Sequence, residues 1–312
     1  FAENLPVAGF DRDMWDIVMD CCALDWSRIS PAIFGAMFQS IMDKKLRRNL
    51  GAHYTSEHNI LKLIGPLFLD DLKTEFENIK TNIKKLEEFH KKLASLTFLD
   101  PACGCGNFLI IAYRELRELE LDVLRILLPK KYGETRILDI SPEILCNVDQ
   151  FYGLEIEEFP AQIAQTALWL IDHQMNMVIS SEFGQYFSRL PLQKSATIVH
   201  ANALQKDWRD VIAPKDLSYI LGNPPFLGKQ YQSAEQKKDL ESIFAHIKGA
   251  GVLDFVTAWY AKATELMLEN PSIKTAFVST NSITQGEQVG ILWPDLLRKG
   301  VKIHFAHRTF QW

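Results

Sequence analysis

Apolar residues along this chain recur at two different spacings. Between residues 70 and 95 they fall mostly three or four positions apart among lysines and glutamates, the period of one helix face. This stretch predicts a surface helix or helical hairpin with one apolar seam, made of Leu72, Phe76, Ile79, Ile83, Leu86 and Leu93. Residues 1 to about 48 predict two or three amphipathic helices, and Thr55 or Ser56 is expected to cap a helix starting near Glu57.

Short apolar runs alternate with longer helical patterns from residue 97 onward. Helices are predicted at 108–128, ended by a break at 129–132, and at 159–179, 234–247, 253–269 and around 293–297. Strands are predicted just before residue 101 and at 150–156, 195–200, 219–222, 274–280 and 301–306. This alternation predicts an α/β fold, Rossmann-like, with a mostly parallel twisted sheet and helices on both faces.

Composition limits the classes of protein that fit. With 312 residues and 47% hydrophobic content, the chain can bury a large core in one α/β domain plus an appendage. No signal peptide or apolar run of membrane-spanning length is found, and the five cysteines predict reduced thiols in a cytoplasmic protein. Cys103 and Cys105 are too close for a zinc pair, and no histidine spacing predicts a metal site.

The most informative motif is Asn223-Pro224-Pro225-Phe226, which follows an apolar run. An exocyclic amine such as adenine N6 is a poor nucleophile, because its lone pair is delocalised into the ring. The Asn223 side-chain oxygen and the Pro224 carbonyl can accept its two N–H bonds, while the prolines restrict the backbone. Phe226 can stack on a base swung out of its duplex. Taken alone, the motif is equally well explained as a turn after a buried strand.

A glycine turn upstream supplies a second motif. The segment 100–108, D-P-A-C-G-C-G-N-F, connects an apolar strand to a long apolar helix, the arrangement of a nucleotide-binding unit. A dinucleotide site is less well supported, because Leu109 stands where the third glycine of G-x-G-x-x-G is needed. A later strand ends at Glu155, whose carboxylate could bind both ribose hydroxyls, and Ile156 could offer an apolar face to adenine.

The order of the motifs resembles a known enzyme family. It runs G-A-H-Y-T-S at 51–56, D-P-A-C-G-C-G-N-F at 100–108, G-L-E-I-E at 153–157, A-N-A-L at 201–204, G-N-P-P-F at 222–226 and F-A-H-R-T-F-Q-W at 305–312. This set resembles the gamma-order N6-adenine DNA methyltransferases, and most of all the methylase segment of MmeI-like single-chain (type IIG/IIL) restriction-modification enzymes.

The resemblance implies a class I methyltransferase that moves a methyl group from S-adenosylmethionine to N6 of a flipped adenine. It implies a helical spacer at residues 1–49 and a catalytic domain at 50–312, C-terminally truncated and lacking its target-recognition domain. The net charge of −5 lacks the basic footprint of a complete DNA-binding protein. Double-stranded DNA is therefore expected to bind mainly through the missing domain, and neither a membrane partner nor a particular oligomeric state is implied.

The resemblance also implies a role for each matching position. The cofactor would be bound by Tyr54, Thr55, Asp100, Ala102, Cys103, Gly104, Gly106, Phe108, Glu155, Ile156, Asn202 and Ala203. Asn202, which would meet the adenine amino edge, stands where the family more often has Asp, and an Asn oxygen can still accept from an amine. Catalysis would fall to Asn223, Pro224, Pro225 and Phe226, with Phe310 or Trp312 as the second aromatic stacked on the base.

Two other functions use similar sequence features. A protein glutamine or RNA amino-group methyltransferase would present the same turn to a planar amine, although the extended glycine turn and the H-Y-T segment favour DNA. A non-catalytic cofactor-binding or DNA-specificity module would be expected to have a degraded tetrapeptide, and here the tetrapeptide is intact.

Overall fold

The chain folds into two compact units, Phe1–Ser30 and Pro31–Trp312, in a computed structural model that describes residues 9, 11–23, 29–33, 55–132, 140–184 and 195–309. In the first unit, helix α1 (Arg12–Ala23) agrees with the amphipathic helices predicted there. The predicted boundary between residues 49 and 50 lies outside the described residues and stays a prediction. Among the described helices, none combines the length and apolar character needed to cross a lipid bilayer.

The second unit alternates strands and helices. Its strands are β1 (Phe98–Asp100), β2 (Phe151–Glu155), β3 (Thr197–His200), β4 (Tyr219–Gly222) and β5 (Lys274–Phe277). Its described helices are α2 (Glu57–Ile64), α3 (Asp70–Ile79), α4 (Ile83–Ser95), α5 (Asn107–Tyr132), α6 (Glu158–Phe183), α7 (Ala234–Ile243), α8 (Thr257–Glu269) and α9 (Val289–Arg298). A π-helical turn, Gly65–Leu69, joins α2 to α3.

The five strands form one sheet in the order β3-β2-β1-β4-β5, and all neighbouring strands are parallel. The predicted Rossmann-like α/β class is therefore confirmed. From β1 the chain continues to β2 and β3 on one side, and β4 and β5 lie on the other. The loops that leave β1 and β4 consequently diverge, and ligands of parallel sheets bind at such a switch point.

The sheet separates two apolar layers. Side chains of consecutive strand residues point to opposite faces, so Phe98 packs with helices α2 to α6 while Leu99 packs with α7 to α9. On the first face the ring of Phe98 stacks on Phe151 and on Tyr219, with centroid distances of 4.7 and 5.4 Å. Phe68 adds a fourth ring, 5.0 Å from Phe98. Helices on both faces are thereby confirmed.

Most local predictions hold, because they depend on residues close in sequence. The Ser56 side chain accepts a hydrogen bond from the Asn59 N–H at 3.4 Å and caps α2, as predicted. The predicted hairpin at 70–95 forms as α3 and α4, and α6 begins with Pro160 in its first turn.

Two predictions of secondary structure, one of a helix end and one of a strand, are wrong. Helix α5 does not break at Pro129 but continues to Tyr132, since a proline this near the helix end removes only one backbone donor and its bond. The segment 301–306 is not a strand. Its apolar residues alternate, but a strand also needs a hydrogen-bonding neighbour and a core to face, and Ile303 is exposed.

A buried ionic network joins helices α5 and α6. Arg117 is fully buried, and its guanidinium donates to Asp172 Oδ1 at 2.9 Å and to Asn176 Oδ1 at 2.8 Å. Its Nε lies 3.1 Å from Glu120 Oε2. Burial raises the pKa of Glu120, but the hydrogen bond with His90 and the charge of Arg117 outweigh burial and lower that pKa overall.

Replacing Arg117 should destabilise the protein strongly. Arg117→Met leaves the carboxylates of Glu120 and Asp172 buried without their cation, which typically costs about 3 to 5 kcal/mol in the free energy of unfolding. Arg125→Met is the matched control, because Arg125 lies on the same helix and pairs with Glu182 of α6 at the surface. Urea unfolding should show a loss below about 1 kcal/mol for the control. Equal losses would contradict the importance of the buried network.

Candidate functional site

The loops that follow β1 and β4 start side by side at the carboxyl edge of the sheet, before they diverge. Asp100 ends β1 and Gly222 ends β4, and a Cβ atom at Gly222 would lie only 2.4 Å from Asp100 Oδ1. Gly222 also has a φ of 150°, which favours glycine. The Asp100 carboxyl therefore lies directly against the backbone that leads into Asn223.

Asp100 is a buried acid with a raised pKa. Its side chain is buried, and burial, with a smaller contribution from the charge of Glu155, raises its pKa to about 8. Oδ1 accepts the Ala102 N–H at 3.0 Å, a hydrogen bond that lowers the pKa by a smaller amount. Oδ2 is buried and has no hydrogen-bond partner among the described residues. This oxygen can therefore accept from a cationic or N–H group of a ligand.

The glycine turn after β1 is held by Glu155 of β2. The Gly104 N–H donates to Glu155 Oε2 at 2.8 Å, and the Glu157 N–H donates to Oε1 at 3.0 Å. Burial raises the pKa of Glu155 despite these hydrogen bonds. At Gly106, φ is 85° and a Cβ would lie 3.1 Å from the Ala164 side chain of α6, so glycine lets the turn pack closely on that helix. The turn and the predicted ribose-binding acid thus form one unit.

Asn223 has one end of its amide fixed and the other open. Its Nδ2 donates to Thr55 Oγ1 at 3.2 Å, and Thr55 is itself buried. Its Oδ1 is buried and has no hydrogen-bond partner in the part of the chain that the structure describes. Pro224 is buried, while Phe226 is half-buried and packs against the apolar layer of Leu99. The acceptor predicted for a substrate amine is therefore present, and none of the described residues donates to it.

Asn202 lies in the turn after β3, at the same edge of the sheet. The Ala201 N–H donates to the Glu155 carbonyl at 2.8 Å, which joins this turn to the end of β2. The Asn202 side-chain oxygen accepts the Leu204 N–H at 2.9 Å, and its Nδ2 donates to Asp239 Oδ2 at 2.8 Å. The next residue, Ala203, is buried in the core.

The remaining predicted residues occupy different settings. Cys103 and Phe108 are buried in the apolar layer of Phe98, and burial raises the pKa of the Cys103 thiol well above its usual value. Ile156 is 52% exposed beside Glu155, as an apolar surface for a ligand would require. Tyr54, Phe310 and Trp312 lie outside the described residues. Over the described ranges, no group of three His, Cys, Asp or Glu side chains is placed to hold a metal.

Several residues that support the site were not predicted. The Trp259 indole on α8 donates to the Pro101 carbonyl at 3.0 Å, across 158 positions of sequence. Gln232 donates from Nε2 to the carbonyls of Leu227 and Leu253 at 2.9 and 3.1 Å, holding the loop after Phe226. Asp239 was also missed. No sequence pattern distinguishes these residues, because their partners are distant in the chain.

Comparison with known proteins agrees with the predicted family. Residues 76–312 match the model of the family described as "MmeI, DNA-methyltransferase domain". DNA methyltransferase A of Bacillus subtilis (strain 168) is 40% identical over 320 aligned positions, covering 100% of this chain and 35% of that protein. A putative type II restriction enzyme and methyltransferase of Methanocaldococcus jannaschii is 26% identical over 170 positions, covering 46% of this chain and 14% of its own length.

Solved structures extend the comparison. The type IIL restriction-modification enzyme MmeI, solved in complex with DNA, is 64% identical with a TM-score of 0.95 over 100% of this chain and 41% of its own. The DrdV–DNA complex shares the fold, with 16% identity and a TM-score of 0.51 over 92% of this chain and 26% of its own. This chain thus spans less than half of each relative's length. The match over most of its residues shows that the chain belongs to the MmeI DNA-methyltransferase domain family.

Proposed function

We propose that the protein is an S-adenosylmethionine-dependent DNA methyltransferase that acts on adenine N6 within a restriction-modification system in the cytoplasm. The observation that carries this proposal is Asn223 Oδ1, a buried acceptor at the switch point of the sheet that has no hydrogen-bond partner within the described ranges. A buried polar atom without a hydrogen bond is costly, so such a position is typical of a ligand site.

The residues around Asp100 fit the proposed cofactor. The unpartnered Asp100 Oδ2 suits the ammonium group of its amino-acid moiety, and the exposed Ile156 suits its adenine. Glu155 uses both oxygens for backbone N–H groups, yet each carboxylate oxygen can accept a further bond from a ribose hydroxyl. When bound, the cofactor supplies an electrophilic methyl group.

The chain's own contribution to the chemistry is to make the amine nucleophilic. Asn223 Oδ1 and the Pro224 carbonyl would accept the two N–H bonds of a target amine and draw its lone pair out of the ring. Because Thr55 already binds Asn223 Nδ2, the amide presents its oxygen, and no reorientation is needed when the base enters. Phe226 would stack on the extruded base.

A DNA substrate is favoured over the alternatives. The MmeI structure, 64% identical to this chain, is a complex with DNA, and this supports DNA over a protein glutamine or an RNA amine. The intact tetrapeptide supports an enzyme over a non-catalytic module. The roles of Tyr54, Phe310 and Trp312, and double-stranded DNA binding mainly outside this chain, stay predictions.

Replacing Asn223 should separate cofactor binding from chemistry. Asn223→Ala removes an acceptor needed mainly in the transition state, so methyl transfer by the full-length protein should fall about 100-fold or more. Calorimetry should show nearly unchanged affinity for S-adenosylhomocysteine. Asn270→Ala is the matched control, because Asn270 binds the carbonyls of Pro214 and Leu217 before the opposite end of β4. Activity above a tenth of wild type in Asn223→Ala would contradict this role.

Thr55 should affect turnover through Asn223. Thr55→Val keeps the shape of the side chain but removes the hydroxyl, so the Asn223 amide can turn its nitrogen toward the amine. At saturating cofactor and DNA, kcat should fall about tenfold, the size expected for one hydrogen bond. Thr55→Ser keeps the hydroxyl and should retain most activity. If Thr55 only lines the cofactor, Thr55→Val will instead weaken cofactor binding and leave kcat unchanged.

Cofactor binding should release a proton from Asp100 at pH 7. A pKa of about 8 leaves this carboxyl mostly protonated, and an ammonium beside it favours the carboxylate. Its ordinary pKa is 3.8, so between these two values the folded state holds the extra proton, and this group lowers stability as the pH rises. Conversely, affinity should increase as the pH approaches 8.

Calorimetric titration of S-adenosylhomocysteine at pH 7, in two buffers of different ionisation enthalpy, measures this proton. Asp100→Asn should abolish the Asp100 contribution. Asp210→Asn is the control, because Asp210 lies in an exposed pair with Lys206 outside the proposed cofactor site, and it should leave that contribution intact. Binding heats independent of the buffer in the wild type would refute the linkage.

A further inference from the structure

Asp239, which accepts a hydrogen bond from Asn202, accounts for an amide at position 202. We infer that Asp239 is a positioning residue, which orients the Asn202 side chain so that its oxygen meets the 6-amino group of the cofactor's purine. This inference rests on the proposed function. Asp239 lies on α7, 8% exposed, and accepts from Asn202 Nδ2 at 2.8 Å and from Gln205 Nε2 at 3.0 Å.

The direction of the Asn202 amide follows from charge. A carboxylate only accepts hydrogen bonds, so Asp239 holds the donor end of Asn202 toward itself. The oxygen end then points away, toward the Leu204 N–H, which it accepts at 2.9 Å. A carbonyl oxygen has two acceptor sites, and the second is suited to an N–H of an amine. The Asn202 oxygen cannot form this hydrogen bond with a 6-oxo group, because both atoms are acceptors.

An Asp at position 202 would not suit this chain. Its carboxylate would stand beside that of Asp239, at the position where the Asn202 nitrogen is 2.8 Å away, and two like charges that close repel strongly. The negative charge beside this turn is therefore supplied by Asp239 of α7. This charge holds the Asn202 amide in one orientation.

The backbone of the turn is held independently of Asp239. Lys262 of α8 donates from Nζ to the carbonyls of Leu204 and Lys206 at 3.2 and 2.6 Å. The Lys206 N–H donates to the Asn202 carbonyl at 2.9 Å. Removing the charge of Asp239 should therefore free the side chain of Asn202 and leave the turn itself in place.

A charge exchange between the two positions tests the inference. The full-length wild type, Asp239→Asn, Asn202→Asp and the double variant are titrated by calorimetry with S-adenosylhomocysteine and with its 6-oxo analogue, S-inosylhomocysteine. The wild type should prefer the 6-amino ligand about tenfold, as one hydrogen bond predicts. Asp239→Asn should lose most of this preference, because an amide at 239 accepts either orientation of Asn202.

The double variant carries the decisive outcome. Asn202→Asp alone should bind S-adenosylhomocysteine at least tenfold more weakly, because its carboxylate faces Asp239. Adding Asp239→Asn should restore both affinity and the 6-amino preference, since the carboxylate introduced at position 202 would then accept from an amide. Asp210→Asn, the same change in an exposed pair with Lys206, is the control and should behave as wild type.

Other outcomes separate the failure of this inference from failure of the proposed function. If the affinity losses of the two single variants multiply in the double variant, Asp239 does not orient Asn202. The same follows if Asp239→Asn keeps the full 6-amino preference. If the wild type binds neither ligand, or Glu155→Ala binds as tightly as wild type, the proposed cofactor site itself is wrong. Thermal melting of each variant shows whether a loss of affinity comes from unfolding.

Discussion

The contact between the Asp100 carboxyl and the backbone at Gly222 is the constraint on which the rest of the site depends. It exists because β1 and β4 are parallel neighbours, paired with Phe98 opposite Tyr219 and Leu99 opposite Ile220. Any side chain at 222 would push the two loops apart. Without this contact, the glycine turn around Asp100 and the tetrapeptide at 223–226 would be two separate features, whereas the proposed function needs them side by side.

Buried polar groups in this fold are of two kinds. Around Arg117 they contact other polar groups: Glu120 Oε1 lies within hydrogen-bonding distance of His90 and of the N–H groups of Leu145 and Cys146, and Glu120 Oε2 forms an ion pair with Arg117 Nε at 3.1 Å. At the switch point, Asp100 Oδ2 and Asn223 Oδ1 have no hydrogen-bond partner in the described part of the chain. The paired network fixes two long helices, whereas the open acceptors are costly alone and are useful only with a ligand present.

The sequence predicted what depends on neighbouring residues. The glycine turn, Glu155 and Asn223 could be placed at one edge because parallel strands end together, and the cap at Ser56 follows from local hydrogen bonding. The segment 301–306 could not be judged from its own pattern, because pairing needs a neighbour. Asp239 and Trp259 could not be predicted as part of the site for a similar reason, because their partners, Asn202 and Pro101, lie 37 and 158 positions away.

The packed rings of Phe68, Phe98, Phe151 and Tyr219 lie beneath the site and help to fix the strand register. Sliding one strand by a single residue would turn these rings out of their layer, so the register of β1, β2 and β4 is locked by packing far from any ligand. The separation of Asp100, Glu155 and Asn223 is therefore inherited from the sheet. Changes in the surface loops can therefore leave the spacing of these three side chains unaltered, because that spacing is set by the strands beneath them.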